Sequence, residues 1–202
     1  MLAPLCACAD LHPALVFVDG VEAAGDGRLV DAGHVEFQHA HAGPDIVDVG
    51  LDGDDVLLHL AVGIGHGDEV IVPNRTWIAT AHAPYLLGAT VKLIDVEVGR
   101  PIIDVERIEA AITERTKAII PVHMCGRAAD MRAINQIARR FNLTVIEDAA
   151  QALGSRNSDG LLGTQSDMGC FSLSVAKIIA TGQGGFVVTK NEKTYKRLVA
   201  MR

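Results

Sequence analysis

The sequence predicts an α/β domain built on a mostly parallel sheet with helices across its faces. From residue 69 onward, short apolar runs alternate with segments of helical period, the order that produces strand–helix–strand units. The runs themselves are rich in Val and Ile, as buried parallel strands are. At 202 residues, with 49% hydrophobic and 21% charged residues, the chain is long and apolar enough for one such domain with a sizeable core.

The elements follow in order. EVIVP (69–73) is a short strand ended by proline, and TVKLIDV (90–96) is a β-branched strand ending in an acid. Between them TWIATAHAPYLL contains a short helix, with Pro84 inside it. DVERIEAAI (104–112) puts Val105, Ile108 and Ile112 on one helical face, and Asp104 stands at the N-cap. KAIIPVH (117–123) is the next strand. ADMRAINQIARR (129–140) repeats the helical period through Met131, Ile134, Ile137 and Ala138, and its terminal arginines suit the negative end of the helix dipole. LTVIED (143–148) is a strand. DMGCFSL and GGFVVTK are strands on either side of a lysine segment, and NEKTYKRLVAMR starts a helix.

Composition narrows the function classes. A formal charge of −7 argues against nucleic acid as a partner. No apolar run is long enough for a transmembrane helix, which argues against a membrane one. Cysteines at 6, 8, 125 and 170 lack paired metal-ligand spacing and read as reduced residues of a cytoplasmic chain. The start has no basic residue ahead of its first acid, unlike a secretory signal. His34, His39 and His41 form only a loose group, so no metal site is expected.

Charge is unevenly distributed. Residues 1–68 hold one arginine, no lysine, serine or threonine, and twelve acids. A junction therefore falls near GIGHGDEV. We divide the chain into a divergent acidic segment, 1–62, and a domain portion, 63–202. The acidic segment is either peripheral to an ordinary domain or a start of different origin.

The chemistry concentrates in FSLSVAKIIATGQGG, where Lys177 stands among small and apolar side chains. Burying an ammonium is costly, and an apolar setting favours the uncharged amine, a nucleophile toward aldehydes. The alternative is a lysine that extends its head past an apolar stem to water. Asp148 ends a strand, where a carboxylate can reach the ligand crevice of an α/β sheet or cap the segment that follows. Glu147 points to the opposite face. Gln151 is either a ring contact or an ordinary polar residue. Trp77, the sole tryptophan, either stacks on a flat cofactor or seals the core. Ser172 offers a hydroxyl to a phosphate. His123 is either an oriented structural residue or a substrate contact. Neither TGQGG nor GIGHGD matches the Walker or dinucleotide fingerprints.

Taken together, GDEVIVPNRTWIATAHA, TKAIIPVH, VIEDAAQALGS, GCFSLSVAK and TGQGGFVVT resemble the DegT/DnrJ/StrS-type sugar aminotransferases over about residues 63–202. The resemblance implies part of a fold-type-I large domain, incomplete at its carboxyl end, and pyridoxal 5′-phosphate as cofactor. It implies transamination of a nucleotide-linked keto sugar with an amino-acid donor, glutamate in related enzymes, and a homodimer where the full fold is present. By the same token Lys177 attaches the cofactor and shuttles a proton. Asp148 pairs with the pyridine nitrogen, Gln151 lies near the ring oxygen, Ser172 contacts the phosphate and Trp77 lies against the ring. Thr76 and Thr80 fall nearby. Relatives carry a Ser/Asn–Gly–Thr phosphate turn; here Gly53 matches it, but Asp54 replaces the threonine and would repel phosphate. A catalytically inactive fragment and a noncatalytic binding or regulatory module are the competing readings.

Overall fold

A computed structural model describes residues 45–48, 59, 61–182 and 184–201. Seven strands form one sheet: β1 (Asp45–Asp48), β2 (Glu69–Pro73), β3 (Thr90–Ile94), β4 (Thr116–Ile119), β5 (Thr144–Asp148), β8 (Met168–Ser172) and β9 (Gly185–Thr189). Their spatial order is β1-β9-β8-β5-β4-β2-β3. Every neighbouring pair from β8 to β3 is parallel, and β9 alone runs against its neighbours on both sides. A separate two-stranded ribbon joins β6 (Arg156–Asn157) to β7 (Gly160–Leu161). Strand β1 lies within the acidic segment, and it pairs with β9 from Asp45↔Thr189 to Asp48↔Phe186.

Side-chain alternation along the strands builds two cores. Val70, Val72, Ala118, Ile120 and Ile146 share one face with Met168 and Leu198. Ile71, Ile119 and Val145 face the other way and pack beneath Ile108 and the helix α3 (Met131–Phe141). Helix α3 is set by its sequence. The Asp130 side chain accepts from Ala133 N at 3.1 Å, and Asn142 ends the helix in the left-handed region at φ 54°. Met131, Ile134, Ile137 and Ala138 are its buried face, as predicted.

The helix α1 (Ile78–Leu86) starts after Trp77, whose backbone is extended, and contains Pro84. Proline removes the amide that would close the preceding turn, and the helix ends two residues later, followed by Gly88 at φ +81°. Residues 104–112 differ from expectation. They form a 3₁₀ turn, Val105–Arg107, and then a single helical turn, α2 (Ile108–Ala111). Asp104 does cap, accepting from Glu106 N at 3.1 Å and Arg107 Nε at 3.0 Å, which tightens the opening turn. Ile112 is already extended, and the Thr116 hydroxyl takes Thr113 N at 2.8 Å, so the helix cannot continue. A last helix, α4 (Glu192–Met201), buries Leu198 against the first core. Among the described residues no helix is long and apolar enough to cross a membrane.

The amino-terminal edge of the sheet is closed by charge. Glu69 is buried and accepts from Thr113 Oγ1 at 2.6 Å, Lys92 Nζ at 3.0 Å, and Arg115 Nη2 and Nε at 2.6 and 3.1 Å. Those donors, the Thr113 hydroxyl first and the two cations after it, outweigh the burial penalty and lower its pKa to about 2.

Candidate active site

The candidate site residues fall along the carboxyl edge of the parallel strands. Strand order reverses about β2, since β3 lies on one side of it and β4, the next in sequence, on the other. Such a switch point opens a crevice beyond the strand ends. Trp77 follows β2, His123 follows β4, Asp148 ends β5 and Ser172 ends β8, and these four strands are adjacent in the order β8-β5-β4-β2. The resemblance gathers Trp77, Asp148 and Ser172 from positions 95 residues apart, and the topology sets them along one edge.

The Asp148 carboxylate is held from two sides. Its Oδ2 accepts from Thr80 Oγ1 of α1 at 2.7 Å, and Oδ1 accepts from Ala150 N at 3.1 Å. The second bond stabilises a turn, where Ala152 N donates to Ala149 O, so Asp148 caps the following segment. Thr80 Oγ1 also lies 2.7 Å from Thr76 Oγ1. Gln151 sits on that turn, and its Oε1 accepts from Cys125 N at 3.0 Å. This contact fixes the amide and leaves Nε2 as a donor.

Trp77 is 69% exposed, which rules out the core-sealing alternative. An open indole at the mouth of a crevice is a surface on which a flat ring can stack. Lys177 is half-buried in the connection between β8 and β9, where its backbone N donates to Ser174 O at 3.0 Å. That connection is pinned at its base, since Leu173 N donates to Gly184 O at 2.8 Å and Leu173 O accepts from Thr181 N at 2.9 Å. Ser172 Oγ accepts from Ser174 N at 3.4 Å, which leaves its proton for an anion. Gly53 lies outside the described residues.

His123 is resolved between its two readings. It is fully buried; Nδ1 accepts from Ala129 N at 3.2 Å, so the ring proton is on Nε2 and donates to Glu147 Oε2 at 2.9 Å. Both nitrogens are thus engaged within the protein, and His123 is structural. Glu147, facing away from Asp148 as alternation requires, also accepts from Gly163 N at 2.8 Å, Gln165 N at 2.7 Å and Ser166 Oγ at 2.8 Å. It ties the segment entering β8 to β5. Sequence reasoning placed Glu147 on the far face but not this cage, whose donors come from 16 to 24 residues away. No group of three or more His, Cys, Asp or Glu among the described residues can hold a metal ion.

A sheet of this order, with a lysine loop between β8 and an antiparallel β9 and an acid at the end of β5, is the large-domain architecture of fold-type-I aminotransferases. The chain belongs to the DegT/DnrJ/EryC1/StrS aminotransferase family, which it matches over residues 50–202. It is 42% identical over 181 residues to GDP-perosamine synthase of Caulobacter vibrioides, covering 87% of this chain and 48% of that protein. It is 46% identical over 151 residues to a UDP-N-acetyl-3-dehydro-alpha-D-glucosamine 3-aminotransferase of Acidithiobacillus ferrooxidans, covering 74% of this chain and 41% of that one. The crystal structure of NtdA from Bacillus subtilis with bound cofactor PMP superposes with a TM-score of 0.71 at 34% identity, over 78% of this chain and 36% of that one. The chain therefore spans about half the length of the curated relatives it matches.

Proposed function

We propose that this chain carries the cofactor site of a pyridoxal-phosphate-dependent aminotransferase that acts on a nucleotide-linked keto sugar with glutamate as amino donor. The observation that carries the reading is the Asp148 carboxylate, oriented by Thr80 and Ala150 at the strand end beside β8, from which the Lys177 loop departs. The residues fit the group. A carboxylate, an amine, an open indole, an amide and a serine hydroxyl answer in turn to a pyridinium nitrogen, an aldehyde, a flat ring, a ring oxygen and a phosphate. When bound, pyridoxal phosphate supplies an aldehyde to carry the amine and a protonated ring that accepts electrons from a carbanion.

The chain's own residues do the rest. Asp148 holds the ring-nitrogen proton by charge, and its two protein hydrogen bonds keep the carboxylate from turning away. Lys177 Nζ would be the nucleophile that holds the cofactor, and its free amine would be the base and acid that moves the proton of the donor's α-carbon. Trp77 restrains the ring plane, and Gln151 Nε2 donates to the ring oxygen. The sugar substrate is supported by relatives named for GDP- and UDP-linked sugars. A homodimer is supported by the exposed apolar stripe Ile78, Tyr85 and Leu86 on α1, a surface of the kind that protein contacts cover.

The test is spectroscopic. Pyridoxal phosphate added to the purified chain is expected to give a visible absorption band that glutamate bleaches and that Lys177→Ala lacks. A chain with no lysine-dependent band refutes the proposal.

A further inference from the structure

We propose that Thr80 is a positioning residue for Asp148, itself oriented by Thr76, so that one chain of hydroxyls locks the carboxylate toward the ring nitrogen of the cofactor. The inference rests on the cofactor reading above. Its basis is the direction of the hydrogen bonds. An ionised carboxylate only accepts, so Thr80 must donate its single proton to Asp148 Oδ2 across 2.7 Å. Toward Thr76, also at 2.7 Å, Thr80 Oγ1 can then only accept, and Thr76 is the donor. With the carboxylate ionised, the order Thr76→Thr80→Asp148 follows.

Place and burial give the chain its consequence. Thr80 is 5% exposed and lies 68 residues from Asp148, so this is a tertiary bond between α1 and β5 in a spot closed to most solvent. Thr76 precedes Trp77, and Thr80 N donates to Trp77 O at 3.2 Å. The same four-residue turn therefore holds both the indole and the carboxylate. Without the Thr80 proton, Oδ2 would lose the one donor it has among the described residues, while Oδ1 would keep Ala150 N. The carboxylate would then be free to rotate about a single remaining anchor.

A purely structural hydroxyl would affect any ligand equally, whereas a residue acting through Asp148 affects only ligands with a ring nitrogen. The experiment compares the dissociation constants of pyridoxal phosphate and of its carbocyclic analogue, with CH in place of the ring nitrogen, for wild type, Thr80→Val, Thr80→Ser and Thr76→Val. Thr80→Val is expected to weaken pyridoxal phosphate about tenfold, the scale of one hydrogen bond to a charge, and to leave the analogue within about twofold. Thr80→Ser should restore wild-type affinity. Thr76→Val, which keeps the buried donor and serves if Thr80→Val does not fold, should weaken pyridoxal phosphate about threefold with the analogue again unchanged. Equal losses for both ligands, or no loss in either valine variant, would overturn the assignment. A wild-type chain that binds no pyridoxal phosphate overturns the cofactor reading and this inference with it, whereas normal wild-type binding with no ring-nitrogen contrast sinks this inference alone.

Discussion

The two edges of the parallel sheet use the same residue types for opposite purposes. At the amino edge Glu69 is surrounded by a hydroxyl, an ammonium and a guanidinium, all within hydrogen-bonding distance, and little remains for anything outside the protein. At the carboxyl edge Asp148 has two protein donors, Gln151 presents its Nε2, and Trp77 is left open. A carboxylate whose partners are complete fastens strands. A carboxylate whose orientation is fixed by two donors among the described residues keeps acceptor capacity that a ligand could use. Glu147 and Asp148 repeat this contrast within two consecutive residues, because strand alternation sends one into a cage of four donors and the other to the crevice.

The sharpest break of that contrast is a paired substitution. Glu147→Gln replaces an acceptor oxygen with a donor facing other donors, and is expected to cost about 3–5 kcal/mol in urea unfolding, the scale for disrupting a buried charge network. Asp148→Asn, at a residue only partly buried, should cost less than about 1 kcal/mol while abolishing the visible band with pyridoxal phosphate. Similar stability losses for the two would erase the distinction.

Next in size is the response to acid at the amino edge. The folded pKa of Glu69, about 2, lies below the ordinary carboxylate value of 4.5, so the folded state binds this proton less readily than the unfolded chain does. Its contribution is complete above pH 4.5 and fades as pH falls from there toward 2. The difference in urea midpoint between wild type and Glu69→Gln is therefore expected to shrink across that window. A difference independent of pH would mean the cluster does not act through its charge.

The smallest expected effect is Trp77→Ala on stability, below about 0.5 kcal/mol because the ring is exposed, together with a clear loss of cofactor affinity. A large stability loss would return Trp77 to the core.

The alternation of strands and helices after residue 69 was legible because each strand is apolar by local composition and α3 carries both caps and a buried stripe within eleven residues. Residues 104–112 were misread as one helix because period shows which face is apolar, not where the backbone turns; that was settled by Asp104 tightening the first turn and Thr116 capturing Thr113 N. The site residues were legible only as a pattern of motifs. What binds them to one another, Thr80 to Asp148 or Cys125 N to Gln151, joins positions 68 and 26 residues apart, and local sequence carries no signal of that. His123 shows the same limit, since its role depends on which groups its two nitrogens meet.

The reversal of β9 gives the lysine loop a ruler. Elsewhere in the parallel sheet neighbouring strands are joined by long crossovers, but β8 and β9 pair as a hairpin, matched residue for residue from Met168↔Thr189 to Ser172↔Gly185. Strand residues advance about 3.4 Å each, so a slip of two would preserve every inward face yet carry the base of the loop roughly 7 Å along the strand. The hydrophobic pattern alone would tolerate that error; a proton transfer would not. Gly169 holds β8 itself in place for a reason unrelated to hydrogen bonding: a Cβ there would collide with the Gly163 carbonyl, so no side-chain-bearing residue of β8 can be shifted into its position. Two glycines in contact thereby calibrate the reach of a lysine they never touch.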